Sequence, residues 1–345
     1  MVLDKSSYTD QIFQHLSGPF PILDSFGISA APLHRPALKL PPGPVFPQLK
    51  KLYINGISTF FGSQRFIHVT EFRWHTGGVQ LVGMDDSLKT LEQFPLLERV
   101  WIEFHTDPKP FINPPIITLQ HVQEMTISRF STPSTPMRLP DILVYLRLPR
   151  LKTLCVQAFP YLCTNPSYPI FPTTTFGDQF PNLAEFPELE VDVGSGEATF
   201  RNTSQATLTY RTELFSNYVL TEKKAWDGLP LHSVRRLIAN TPFQPISLYR
   251  RREWFIELLE DLTCLEHIEL EGECDDAIRW LCDEIMQEKR FVHIKTLAIR
   301  CDERDTHRVL ELKCLADGAG LATTVICIQD SEEESNEETD LEGSG

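Results

Sequence analysis

The amino-acid sequence predicts an α/β solenoid, a curved parallel sheet with helices and loops on its convex side. Three observations point there. A four-residue apolar frame recurs along the chain of 345 residues, successive copies begin 20 to 31 residues apart wherever the pattern is continuous, and helix signals fall in several of the intervals.

The frame is clearest when Phe46–Ile54 is laid over Phe94–Ile102, because both place apolar residues at offsets 0, 3, 6 and 8. The same offsets fit copies beginning at Phe20, Phe66, Leu119, Leu148, Leu231, Leu262 and Phe291. Four apolar positions coincide by chance in about ten windows of a chain this long, so the order and spacing of the copies carry the argument rather than their number. Phe-Pro or Leu-Pro also opens the copies at Phe20, Phe46, Phe94 and Leu148, a feature that chance windows do not share. Offsets 6 and 8 alternate as a strand does, while offsets 0 and 3 turn the chain into it. One such unit cannot bury its apolar edge alone, but parallel stacking of neighbours gives a continuous core.

Taken along the chain, residues 1–19 have room for one short helical cap, about Thr9 to Leu16, and residues 20–329 form the repeats. Helices are expected over Ser87–Gln93, Asp141–Leu146, Tyr249–Leu262, Asp275–Lys289 and Thr306–Ala316, where apolar residues recur at helical spacing. Pro-rich stretches at 40–47, 131–140 and 164–172 cannot continue a helix and are expected to be surface loops. Between Phe180 and Leu231 the register is open. Phe180, Leu183 and Phe186 begin a copy, but Glu188 occupies offset 8. That interval holds either displaced repeats using Leu189, Val191, Leu208 and Tyr210, or an insertion through Gly194 to Ala206. Residues 330–345 read as a disordered acidic tail, since Asp330–Glu342 has eight acidic residues and no Lys or Arg.

A formal net charge of −15 argues against nucleic acid or an anionic membrane as the main ligand. The absence of a long apolar run and of a basic, apolar leader predicts an intracellular protein, cytoplasmic or nuclear. The eight cysteines form no C-x-x-C pair, so they read as buried apolar residues, and no metal or cofactor is expected. Val193–Glu197 lacks the spacing of a nucleophile elbow, and no phosphate-binding Gly-rich loop or H-E-x-x-H motif occurs. A non-catalytic protein is therefore expected, with a cryptic hydrolase as the remote alternative.

The Phe/Leu-Pro-x-Leu-x-x-Leu-x-Ile phrases, their irregular spacing and the Trp254-containing helix ahead of Leu262–Gly272 resemble the C-terminal leucine-rich-repeat-like region of fungal F-box proteins. The resemblance covers roughly Phe20 to Ile328. It implies a protein-protein interaction module that selects substrates for a cullin-RING ubiquitin ligase. No Leu-Pro-x-Glu-Ile opening of an F-box precedes the repeats, so a cullin-RING adaptor is expected as a partner only if an F-box lies elsewhere. The alternative is a stand-alone repeat scaffold or a truncated family remnant without a ligase link.

Strand alternation assigns the partner-binding surface. With offsets 6 and 8 in the core, offsets 5, 7 and 9 face the open concave side, which is expected to take an unidentified protein ligand. Tyr53, Arg73 and Trp101 share offset 7 on successive strands, and Lys51, Arg99 and His75 flank them. Trp, Tyr and Arg are the residue types that dominate binding energy when a partner buries them. On the later strands the same face carries Arg236, Asn240, His267, Glu269, Glu271 and Arg300, which read as a solvated polar surface.

Overall fold

The computed structural model describes residues 22–29, 46–56, 66–75, 84–104, 116–130, 141–159, 176–192, 197–202, 204–212, 229–241, 248–272, 274–302 and 306–328. The predicted cap within residues 1–19, the acidic tail and most of the Pro-rich stretches lie outside those residues.

The chain runs β1 (Ser25–Ser29), β2 (Lys51–Asn55), β3 (Glu71–His75), α1 (Met84–Glu92), β4 (Arg99–Phe104), β5 (Ile117–Thr118), β6 (Glu124–Phe130), α2 (Asp141–Val144) and β7 (Leu146–Arg147). It continues through β8 (Thr153–Phe159), α3 (Phe176–Gln179), β9 (Glu188–Asp192), β10 (Glu197–Arg201), β11 (Thr207–Thr212), β12 (Arg236–Thr241) and α4 (Leu248–Asp261). The last elements are β13 (His267–Gly272), α5 (Asp275–Met286), β14 (Thr296–Asp302), α6 (Thr306–Gly318) and β15 (Ala322–Ile328). Among the described residues, thirteen strands join one mostly parallel sheet in the order β1-β2-β3-β4-β6-β8-β11-β10-β9-β12-β13-β14-β15. That sheet is not closed into a barrel, and β5 pairs with β7 in a separate parallel ladder.

The apolar frame explains this arrangement. In every copy from Phe46 onward, all four frame residues are buried, and they join one continuous apolar cluster that includes Leu88 and Leu91 of α1, Leu258 of α4 and Leu281 of α5. Each large side chain withdrawn from water in this way stabilises the fold by about 1.5–3 kcal/mol. The turn before each strand also repeats. The N–H at offset 3 donates to the carbonyl at offset 0 in Leu49 to Phe46 (3.2 Å), Val69 to Phe66 (3.2 Å), Leu97 to Phe94 (3.3 Å) and Ile294 to Phe291 (3.0 Å). One carbonyl of the preceding copy then accepts two N–H groups at the start of the next strand. Lys50 accepts from Thr70 and Glu71 at 2.9 and 3.0 Å, and Thr70 accepts from Glu98 and Arg99, both at 2.9 Å. The frame thus sets burial and register together.

The expectation of a wholly parallel sheet fails at β10, which runs antiparallel to both β9 and β11. Its flanking connections are too short for a parallel crossover, which takes about a dozen or more residues. In the second connection the Asn202 carboxamide oxygen accepts from the backbone N–H of Ser204 (3.0 Å) and Ala206 (2.9 Å), and Gln205 adopts a left-handed φ of 64°. Both alternatives for this interval hold in part. Leu189 and Leu208 face the core from β9 and β11, each of which lies parallel to its outer neighbour, while β10 is inserted between them. The frame restarts at Leu183 rather than Phe180. Leu183, Phe186, Leu189 and Val191 fall at offsets 0, 3, 6 and 8 and are all buried, which returns Glu188 to an outward position.

The cysteines divide instead of being uniformly buried. Cys274 and Cys282 are buried beside and within α5, whereas Cys264, in the turn ahead of β13, and Cys314, on α6, are exposed. Cys264 falls at offset 2 of its copy, between the buried Leu262 and Leu265, where the turn sends a side chain outward.

Candidate functional site

Alternation along β2, β3 and β4 separates two rows. Leu52, Phe72 and Val100 face the core, and so do Ile54, Trp74 and Ile102. The intervening residues Tyr53, Arg73 and Trp101 are direct partners in the parallel ladders and point to the other side. Arg73 sits between the two aromatic rings, its guanidinium carbon 5.4 Å from the centroid of Tyr53 and 5.4 Å from that of Trp101. A cation this close to an aromatic face is attracted by the ring quadrupole, by about 0.5–1 kcal/mol at an exposed site. Trp101 keeps 39% of its surface exposed, so the stack is presented to solvent rather than buried beneath the chain.

Glu71 organises the row from beneath. Its Oε1 accepts from the Tyr53 hydroxyl at 3.1 Å and from Arg73 Nε at 3.0 Å, and its Oε2 accepts from Arg99 Nη2 at 3.1 Å. Burial of the Glu71 carboxylate works to raise its pKa. The hydrogen bonds from Arg99 and Tyr53, with the charges of Arg73 and Arg99, outweigh that and hold it below the usual carboxylate range. The Tyr53 hydroxyl is pushed up, first by burial and then by its bond to Glu71. Lys51 flanks the row on the same strand as Tyr53, and His75 Nδ1 lies 2.7 Å from Glu103 Oε2 on the adjacent strand. Among the six candidate residues, Tyr53, Arg73, Trp101 and Arg99 form one connected cluster, His75 pairs with Glu103 beside it, and Lys51 makes no ion pair with a described residue.

Strand offsets place Glu71 on the outward face without singling it out as the hub. A signal is present, because Lys51, Glu71 and Arg99 share offset 5 and face one another across neighbouring strands. A groove of about 460 Å³ runs beside the row, with Gly27, Asn55 and Glu103 among its lining residues. Gly27 pairs with Tyr53 in the ladder and has no side chain to cover that end of the row.

A second charge cluster lies on the later strands. The Glu269 carboxylate meets both Arg236 and Arg300, and Arg236 Nη1 also donates to Glu188 Oε2 at 3.1 Å. Glu269 is buried, which corrects its reading as part of a solvated surface: two flanking arginines cover it and supply the charge that its burial requires. His267 Nδ1 is 2.7 Å from the Thr296 hydroxyl. Among the described residues no group of three or more His, Cys, Asp or Glu is placed to hold a metal ion, and no helix is long and apolar enough to cross a membrane. No protein-family model matches the chain, and no curated protein is similar enough to count as a relative.

Proposed function

We propose that the chain is a leucine-rich-repeat-like solenoid that works as a protein-protein interaction module, with Tyr53, Arg73 and Trp101 at the centre of its binding face. The solenoid reading is supported by the repeated turn and by the shared carbonyl that starts β2, β3, β4, β6, β8, β12, β13 and β14, since both recur with the period of the apolar frame. The observation that carries the function is the exposed stack itself. Three residues of the types enriched in binding hot spots lie side by side, with Arg73 held by two rings and a carboxylate, so a partner would lose little side-chain freedom by covering them.

The resemblance to fungal F-box proteins extends this reading to the selection of substrates for a ubiquitin ligase. Affinity capture from native cells with the wild-type chain and with Trp101→Ala tests both parts. The variant should melt as the wild type does and lose proteins that the wild type retains. An unchanged set of captured proteins would contradict recognition by this face. Cullin subunits among the proteins captured by the wild type would support the ligase link, and recovery of a partner without them would favour a stand-alone scaffold.

A further inference from the structure

We infer that the groove beside the stack takes an acidic peptide segment of a protein partner, with a carboxylate seated on Arg73 and an apolar residue against Trp101; this rests on the recognition reading above. Arg73 uses Nε to hold Glu71, and its two terminal amino groups make no hydrogen bond to any described residue. Those groups form a planar fork that matches a carboxylate, and the aromatic rings on either side hold its plane. A fork already held in place binds with less loss of conformational freedom than a mobile arginine.

Local charge points the same way. Lys51, Arg73 and Arg99 share the outward face with Glu71, Glu103 and Glu124, so the row is close to balanced inside a chain whose formal charge is −15, and the positive charge open to a ligand is that of the Arg73 fork. The acidic body repels an acidic peptide only weakly at a distance, because interactions between exposed charges are largely screened beyond about 8 Å at physiological salt. Contacts in the groove therefore decide. The groove's described lining holds one Lys or Arg side chain, Arg73, and one carboxylate, Glu103, which lies 2.7 Å from His75 Nδ1. The apolar part of the segment has a surface to cover in the exposed ring of Trp101, and the missing side chain at Gly27 leaves room for a backbone to approach Tyr53.

Labelled peptide pools with a central Glu between Leu and Phe, and matched pools with Gln or Arg in its place, test this against the full chain by fluorescence anisotropy. The Glu pool should bind about tenfold more tightly than the Gln pool, the difference made by one charge-assisted hydrogen-bonded pair. Arg73→Gln should erase that difference. Gly27→Phe should weaken the Glu pool by filling the groove without touching Arg73, since a Cβ there meets only the Tyr53 Cβ at 3.8 Å, an ordinary contact. Equal binding of the Glu and Gln pools, preference for the Arg pool, or no binding at millimolar peptide would each overturn the inference. If Trp101→Ala still removes captured proteins in cells while the pools bind alike, the acidic ligand is wrong and recognition by this face survives. If neither effect appears, both fall.

Discussion

Arg73 and Trp101 are opposite one another on neighbouring parallel strands, and the guanidinium carbon of the one lies 5.4 Å from the ring centroid of the other. One residue further along each strand, Trp74 and Ile102 are paired in the same ladder and lie in the core. A single step of the chain therefore separates a side chain that holds the fold together from one that is presented to solvent.

Two tryptophans on adjacent strands should respond oppositely to truncation. Trp74→Ala removes a side chain that is 1% exposed and should cost about 3–5 kcal/mol of stability through lost burial and the cavity left behind. Trp101→Ala should change stability by about 1 kcal/mol or less, the scale of an exposed cation–π contact. Urea unfolding followed by circular dichroism measures both. Similar losses from the two variants would mean that Trp101 is part of the core.

Glu71 should impart an acid-sensitive contribution to stability. Its folded pKa lies below the ordinary value of 4.5, so its stabilising effect is fully present at neutral pH. That effect is lost as the pH falls below 4.5 and through the lower folded value. Glu71→Gln should lower the urea midpoint at pH 7 by an amount corresponding to about 1–3 kcal/mol, because Arg73 and Arg99 lose their shared carboxylate. The gap between wild type and variant should stay constant from pH 7 to about 4.5 and narrow as the pH is lowered further, through the lower folded value. A gap that stays constant below pH 4.5 as well, down to acid unfolding, would show that the carboxylate's charge is not what matters.

The cysteines should separate by reactivity. Burial, with a smaller effect from Asp283, pushes the Cys282 thiol up to about 11, so it holds almost no thiolate near neutral pH. Cys264 and Cys314 are exposed. Brief alkylation of the folded protein with iodoacetamide, read by peptide mass spectrometry, should label those two and spare Cys282. Early labelling of Cys282 would place it at the surface.

Asn202→Ala should destabilise the β10 insertion. The Asn202 side chain accepts two backbone N–H groups in the turn that leads to β11, and its amide donates to the Asn182 carbonyl at 3.1 Å. Loss of these bonds should cost about 1–2 kcal/mol and raise hydrogen exchange in 197–212 ahead of the neighbouring strands. Uniformly raised exchange across the sheet would contradict a local role for this turn.

The repeat is legible in the sequence because one set of offsets encodes both burial and turn, as Phe66, Val69, Phe72 and Trp74 illustrate. Alternation then decides which side chains face out. The interval after Phe180 is not legible, since Phe180, Leu183, Phe186 and Leu189 form an apolar run at a spacing of three that fits two frames. Only the burial of Val191 and the outward position of Glu188 select the later one. The antiparallel β10 is hidden for another reason. Glu197–Arg201 alternate polar and apolar residues as a strand does, but alternation carries no direction, so an antiparallel strand between parallel neighbours is not marked. The hub role of Glu71 depends on side chains reaching it from residues 18 and 28 positions away, which offset alone does not reveal.

Hydroxyl-radical footprinting of the free protein and of its complex with a captured partner tests the binding face most directly, because it reads tryptophan and tyrosine side chains individually. Trp101 and Tyr53 should be oxidised readily in the free protein and protected in the complex, while Trp74 stays unmodified in both. Equal oxidation of Trp101 in the free and bound protein would contradict recognition through this row.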